Sequence, residues 1–389
     1  DSTAEVQLAA QSTIPNRDFV LDFRVAGDTV KSNLMTYEDP QSGQGYFTMM
    51  LYPPTGHESF ARQPMEMVFV LDCSGSMNGQ PLTQAKNAVS VALDHLQEGD
   101  TFQIIRFSEN STQLGARPLP ATKENIRIAR KYLARLHGTG GTQMIEGIKA
   151  ALDFPHDESR LRFVSFMTDG YIGNELEIIG AVHDRIGAAR IFSFGVGSSV
   201  NRYLLERMAK EGRGAVAYLG PQDSGEDIMA NFFGRISHPA LTDLEINWGG
   251  MAVSDVYPAK IPDMFVGRAV VVTGKYLGGA NDVSVSGYRG ADRHEMTVNA
   301  ADDSNKAQVS RIWARLRIAD LADRQAWQQD PHGELENSIR ATALEYQLMS
   351  DYTSFVAVDT SQQTDGEYGV TVHQAVPVPD GVRYETTVE

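Results

Sequence analysis

The sequence predicts an α/β fold: a doubly wound, mainly parallel sheet inserted in a β-sandwich and followed by a C-terminal helical hairpin. Three observations predict it. Strand-like and helical patterns alternate over 65–237, as they do where helices cover both faces of a parallel sheet. Period-two segments bounded by turn residues lie on both sides of that region, at 14–60 and 238–300, as expected of one sandwich interrupted by an inserted domain. Two amphipathic stripes of helical period occupy 304–350, and 351–389 reads as a terminal strand and a polar tail.

In 14–60, Phe19-Val20-Leu21-Asp22-Phe23-Arg24-Val25 and Gly45-Tyr46-Phe47-Thr48-Met49-Met50-Leu51 alternate in hydrophobicity on either side of the turn-rich Asp39-Pro40-Gln41-Ser42-Gly43. Met67-Val68-Phe69-Val70-Leu71 is the continuous apolar run of a strand buried on both faces. Ala85, Val89, Ala92, Leu93 and Leu96 then recur at helical spacing. Further strands are expected at 101–107, 161–167, 190–196 and 215–219, and helices at 124–136, 144–152, 175–186, 201–210 and 227–236. After His238-Pro239, strands are expected at 241–248, 252–257, 268–276 and 282–288, punctuated by Gly249-Gly250 and Gly278-Gly279. Val309, Ile312, Trp313, Leu316, Ala319 and Leu321 make the first stripe of the hairpin and Leu335, Ile339, Leu344 and Leu348 the second, with a break at Asp330-Pro331-His332-Gly333. A last strand is expected at 352–358.

The 389 residues are 42% hydrophobic and 22% charged, enough for a large core in two or three domains of roughly 150 residues. Lys plus Arg number 34 against 50 Asp plus Glu, a net charge of −16 that repels phosphate backbones and anionic lipid. Nucleic acid is therefore not the expected partner. Cys73 is the one cysteine, so neither an intrachain disulfide nor a Cys-rich zinc site is available, and the redox compartment stays open. No apolar run has the length of a membrane span, and Asp1-Ser2-Thr3-Ala4-Glu5 lacks the basic start and apolar stretch of a signal peptide.

The chemistry concentrates at the ends of the expected strands. Asp72-Cys73-Ser74-Gly75-Ser76 follows the apolar run directly and offers a carboxylate and two hydroxyls at alternate positions, the hard oxygen ligands that Mg²⁺ or Ca²⁺ prefers. A D-x-S-x-S string has a plainer reading, an N-cap cluster for the following helix. Gly138-Thr139-Gly140-Gly141-Thr142 allows close backbone approach and offers Thr142 at the start of the next helix. Met167-Thr168-Asp169-Gly170 ends another apolar strand, which brings Asp169 to the same sheet edge as Asp72. If the hydroxyls form the inner shell and the carboxylates hold waters, the ion stays electron-poor and can exchange a water for an external carboxylate.

These three segments resemble the metal-ion-dependent adhesion site of von Willebrand factor type A domains over roughly 65–236. In that family a D-x-S-x-S motif, a later threonine and a later aspartate coordinate the ion. The match falls on Asp72, Ser74, Ser76, Thr142 and Asp169 without departure. The flanks, Asn16-Arg17-Asp18-Phe19-Val20-Leu21, Gly45 to Met50 and 344–356, look like the regions bracketing the A domain in inter-alpha-trypsin inhibitor heavy chains and their bacterial relatives. Among these the chain is most similar to bacterial, sortase-target-like surface proteins, although Asp351 stands where many relatives have Pro. The family has a further β domain upstream of Ile14, so the resemblance implies that the chain starts inside a longer protein.

What the resemblance implies is a non-enzymatic adhesion or binding protein, extracellular or on the cell surface. A Mg²⁺, Ca²⁺ or Mn²⁺ ion would capture a carboxylate of a protein or an acidic glycan. An intracellular scaffold for protein complexes is the alternative, and a metal-assisted hydrolase with Ser74 or Ser76 as nucleophile a remote one. No H-E-x-x-H, G-x-S-x-G or phosphate-binding loop is present, and His95 and His183 read as helix-surface residues. Asp330-Pro331-His332 resembles the glycosaminoglycan attachment site of the animal heavy chains but precedes Tyr352-Thr353-Ser354 instead of following it, and it reads as a turn. Cys73 is expected to point away from the ligands into apolar packing.

Overall fold

The computed structural model describes residues 27, 29–54 and 64–356, apart from 171, 198, 221, 237, 238, 267, 280, 291, 302–306 and 329. The chain divides into a unit of residues 25–354 and a second made of 1–24 with 355–389; the architecture below is that of the first. The strand expected at 19–25 and the tail beyond 356 lie outside the described residues.

Two strands, β1 (Lys31–Glu38) and β2 (Gly45–Tyr52), form an antiparallel hairpin ahead of the α/β region. Next comes β3 (Met65–Asp72), buried at every position. The α/β region continues through α1 (Gln80–His95), β4 (Thr101–Phe107), β5 (Ser111–Gln113), β6 (Leu119–Pro120), α2 (Lys123–Ala134), α3 (Met144–Leu152) and β7 (Leu161–Thr168). It ends with α4 (Glu175–Arg185), β8 (Arg190–Val196), α5 (Arg202–Glu211), β9 (Val216–Leu219) and α6 (Gly225–Ile236).

The strands order as β5-β4-β3-β7-β8-β9, with β6 also on β4. Those from β4 to β9 along this order are parallel, while β5 and β6 run antiparallel to β4. The two-residue period of β3 explains the layers. Met67, Phe69 and Leu71 pack with Ala85, Val89 and Phe233 on one face, while Val68 and Val70 pack with Ile148, Ile179 and Leu204 on the other. From β3 the chain moves outward to β4, then returns across β3 to β7. The order therefore reverses between the carboxyl ends of β3 and β7, the place where open α/β sheets bind ligands.

Downstream lie β10 (Pro239–Asn247), β11 (Ala252–Tyr257), β12 (Met264–Phe265), β13 (Val270–Leu277), β14 (Val283–Arg289), β15 (Asp292–Val298) and β16 (Ala300–Ala301). One sheet orders β11-β13-β2-β1-β16, joining strands from both sides of the α/β region; the other orders β12-β10-β14-β15. Phe47, Met49 and Val272 of the first pack against Leu241 and Val285 of the second. The sheet of the α/β region is tied to this sandwich through Arg190, at the start of β8. Its buried guanidinium donates from Nε to Asp263 Oδ2 (2.6 Å) and from Nη2 to Asp243 Oδ1 (2.9 Å).

The hairpin is α7 (Gln308–Trp327) and α8 (Glu334–Glu345). Asp330 makes the break a helix start, its carboxylate accepting from the backbone N–H groups of Glu334, Leu335 and Glu336. Gln347, at φ 55°, closes α8 with Leu348 N–H donating to Ala343 O at 2.8 Å. Trp313 is 1% exposed and sits among Tyr46, Tyr257 and Tyr346, with Nε1 donating to Asp255 O at 2.9 Å.

Two expectations are corrected. Described residues 352–356 form no strand. The hydroxyl of Thr353 instead accepts from Ser350 N–H and donates to Leu348 O, a local closure that competes with ladder formation and leaves one isolated bridge, Ser350 to Thr353. The second helix ends at Glu345 rather than running to 348, because Gln347 turns left-handed.

Candidate functional site

Asp72 is the last residue of β3 and is fully buried. Its Oδ1 accepts from Ser74 N–H at 2.8 Å, and its Oδ2 accepts from the Thr168 hydroxyl at 2.6 Å. Burial pushes the Asp72 carboxyl pKa up, the bonds from Thr168 and Ser74 oppose that shift, and the neighbouring Asp169 charge adds to it. A carboxylate held so deeply needs compensating positive charge or donors.

Ser74 is 1% exposed and Ser76 is exposed, and their hydroxyl oxygens stand 3.1 Å apart. Neither caps α1. That helix begins after Gly79, whose φ of 90° makes the turn, and no side chain bonds its first N–H groups. Thr142 is likewise free of capping duty, since α3 starts after Gln143 without a side-chain cap. The plainer N-cap reading of these hydroxyls is thereby removed.

Backbone bonds lock the second loop onto the first. Gly75 N–H donates to Gly140 O (3.0 Å) and Thr139 N–H to Cys73 O (2.8 Å). Gly138 is required by this approach: a Cβ there would lie 2.9 Å from the backbone of Asn78 and from Ser74 O. Gly140, at φ 79°, lies against the side chain of Glu109.

The third loop follows β7. Asp169 is partly buried, its carbonyl accepts from Asn201 N–H at 2.9 Å, and Gly170 N–H donates to the Thr168 hydroxyl at 2.8 Å. Asn201 in turn caps α5 by accepting from Leu204 N–H. Of the five residues singled out in the sequence, Asp72 ends β3, while Ser74 and Ser76, Thr142, and Asp169 lie on the three loops beyond the helices and strands that flank the switch point. Thr168, Glu109 and Asn201 were not singled out. Thr168 was the legible one, because it is the last residue of a buried strand and its side chain lies beside Asp72.

Cys73 packs in the apolar cluster beside β3 at 1% exposure, and burial followed by the Asp72 charge pushes its thiol up to about 11. Among the described residues no group of three or more His, Cys, Asp or Glu side chains is gathered to hold an ion.

A doubly wound sheet with an oxygen-rich loop cluster at its switch point defines the class of protein. Residues 65–218 match the sequence profile of the von Willebrand factor type A domain. The chain carries a von Willebrand factor type A domain and is homologous to inter-alpha-trypsin inhibitor heavy chains. It is 26% identical over 355 residues to human inter-alpha-trypsin inhibitor heavy chain H4, covering 84% of this chain and 38% of that protein. To a von Willebrand factor A domain-containing protein of Dictyostelium discoideum it is 30% identical over 204 residues, 52% of this chain and 22% of that one. The chain therefore spans well under half the length of these relatives. A von Willebrand factor type A structure from Catenulispora acidiphila shares the fold, with TM-score 0.56 at 16% identity, covering 84% of this chain and 89% of that one. Members of this family often depend on a metal ion and take part in adhesion or protein interactions. No helix among the described residues is long and apolar enough to cross a membrane.

Proposed function

We propose that the chain is a metal-ion-dependent adhesion or binding protein in which Asp72, Ser74, Ser76, Thr142 and Asp169 hold a divalent cation, Mg²⁺ or else Ca²⁺ or Mn²⁺. The observation that carries this reading is the pair of hydroxyls at Ser74 and Ser76, 3.1 Å apart and unused as helix caps. Adjacent oxygens around octahedral Mg²⁺, bound at about 2.1 Å, are about 3.0 Å apart, so the donor set fits the ion. When bound, the cation supplies a Lewis-acidic point that accepts a carboxylate from a protein or acidic-glycan partner.

The residues divide the work. Ser74, Ser76 and Thr142 offer neutral oxygens. Asp72, with both oxygens already anchored, and Asp169 supply negative charge and acceptors for bound water. Keeping charge off the inner donors leaves the cation attractive to an external anion despite the −16 of the chain. The same proposal has the protein act outside the cell or at its surface and includes the sortase-target-like reading of its family.

Presenting the chain to an array of acidic peptides and acidic glycans in Mg²⁺, with and without chelator, tests the function. Capture that disappears with chelator and in Ser74→Ala supports it. Capture unchanged by both overturns it.

A further inference from the structure

The loop that carries Ser74 and Ser76 also carries the one Asn-Gly pair of the chain, Asn78-Gly79. An asparagine followed by glycine is chemically labile in water, because no side chain on the next residue shields the main-chain nitrogen from the amide carbon. Folding suppresses the reaction where it holds that nitrogen or that amide in hydrogen bonds. Here it holds neither. Gly79 O accepts from the Thr83 N–H (3.2 Å) and hydroxyl (2.8 Å), whereas Gly79 N–H and the Asn78 carboxamide make no hydrogen bond among the described residues. Both residues are exposed, and a Cβ placed on Gly79 would meet nothing within 4 Å. The two Asn-Ser pairs are held differently: Asn110 Oδ1 accepts from Arg106, and Asn337 Oδ1, inside α8, from Arg340.

We propose that Asn78 is a site of spontaneous deamidation that weakens the cation loop as the protein ages. The Gly79 nitrogen attacks Cγ of Asn78, so that an N–Cγ bond forms, the Cγ–Nδ2 bond breaks, and the Gly79 amide proton leaves with the side-chain nitrogen as ammonia. Water then opens the cyclic imide. Opening at Cγ leaves aspartate, whereas opening at the main-chain carbonyl leaves isoaspartate, whose main chain runs through Cβ and is one atom longer. Water is the only co-reactant.

The loop has little slack for the added atom. Leu82 N–H donates to Met77 O at 2.9 Å across the altered link, and Asn78 N–H donates to Gly75 O at 3.2 Å. Met77 is fully buried, and the backbone of Asn78 lies against Gly138 of the second loop. Lengthening the chain between Asn78 and Gly79 therefore displaces either the turn holding Gly75 and Ser76 or the start of α1. The modification site stands apart from the metal reading, whereas its effect on cation affinity rests on that reading.

The test ages the full chain in EDTA at physiological temperature beside Asn78→Gln, whose longer side chain closes the imide ring far more slowly. Peptide mass spectrometry follows each asparagine, and resistance to an Asp-specific endoprotease separates isoaspartate from aspartate. Asn78 is expected to convert first, ahead of Asn110, and mainly to isoaspartate. After EDTA is removed, the Mn²⁺ affinity of the converted chain should be lower by at least about threefold, while aged Asn78→Gln keeps its own. Fresh Asn78→Asp gains the charge without the added atom and should bind at least as well as the wild type. Conversion of Asn78 no faster than of Asn110, or a converted chain with undiminished Mn²⁺ affinity, overturns the proposal. Equal weakening in fresh Asn78→Asp would assign the effect to charge and overturn the argument from chain length. Fresh wild type that binds no Mn²⁺ would overturn the weakening together with the metal reading, and the mass data would still decide the modification site.

Discussion

Thr168 and Asp72, the last residues of two neighbouring parallel strands, are joined by a 2.6 Å hydrogen bond from the Thr168 hydroxyl to Asp72 Oδ2. The bond spans the point where strand order reverses. It fixes the carboxylate plane, and the Ser74 N–H on Oδ1 fixes the loop that carries both serines. The donor set is therefore organised by the sheet rather than by the loops alone.

Thr168→Val keeps the shape and removes the donor. With Asp72 at 0% exposure, the orphaned oxygen should cost about 1–3 kcal/mol of stability. Urea unfolding in chelator measures that cost, and divalent affinity should fall in the same variant.

Gly138→Ala acts on the meeting of two loops. The new Cβ would stand 2.9 Å from backbone atoms of Asn78 and Ser74 that have no free end to yield. The loops must separate, with a stability loss of about 1–3 kcal/mol typical of overpacking and a weaker response to divalent cation. A variant with wild-type cation affinity would show that the contact is not needed.

Arg190→Ala tests the junction between the A domain and the sandwich. Burial works against the Arg190 charge, yet Asp263 and Asp243 outweigh it and hold the guanidinium pKa above its ordinary value. Removal leaves Asp263 buried without its cation, at a cost of about 3–5 kcal/mol by equilibrium unfolding.

Alkaline pH should expose the buried thiol of Cys73. Its pKa rises from 9.0 to about 11 on folding, so the unfolded chain releases the proton first. The stabilisation is complete below pH 9 and is lost as pH rises toward 11, up to about 2 kcal/mol. Unfolding of wild type and Cys73→Ala across that range isolates the term, and native Cys73 should resist alkylation at pH 8.

Much of this was legible because burial writes itself into β3 and β7 as unbroken apolar runs ending in Asp72 and Thr168-Asp169. Legibility fell where side-chain pattern and burial part company. Lys31–Glu38 was missed as a strand because its two buried positions, Leu34 and Thr36, include one polar residue and Met35 beside Leu34 breaks the apolar-polar alternation, while its pairing with β2 supplies the rest. Asp292–Val298 reads as charged and polar because only Val298 is buried. At the site, the approach of Glu109 to Gly140 depends on which loops become neighbours, which no local spacing encodes.

The central claim is tested most directly by calorimetric titration of Mn²⁺ into the wild type, Asp72→Ala and the double variant Ser74→Ala with Ser76→Ala. Circular dichroism of each protein confirms that it is folded. The account predicts saturable binding in the wild type and none in either variant. Equal binding by a folded variant and the wild type would contradict it.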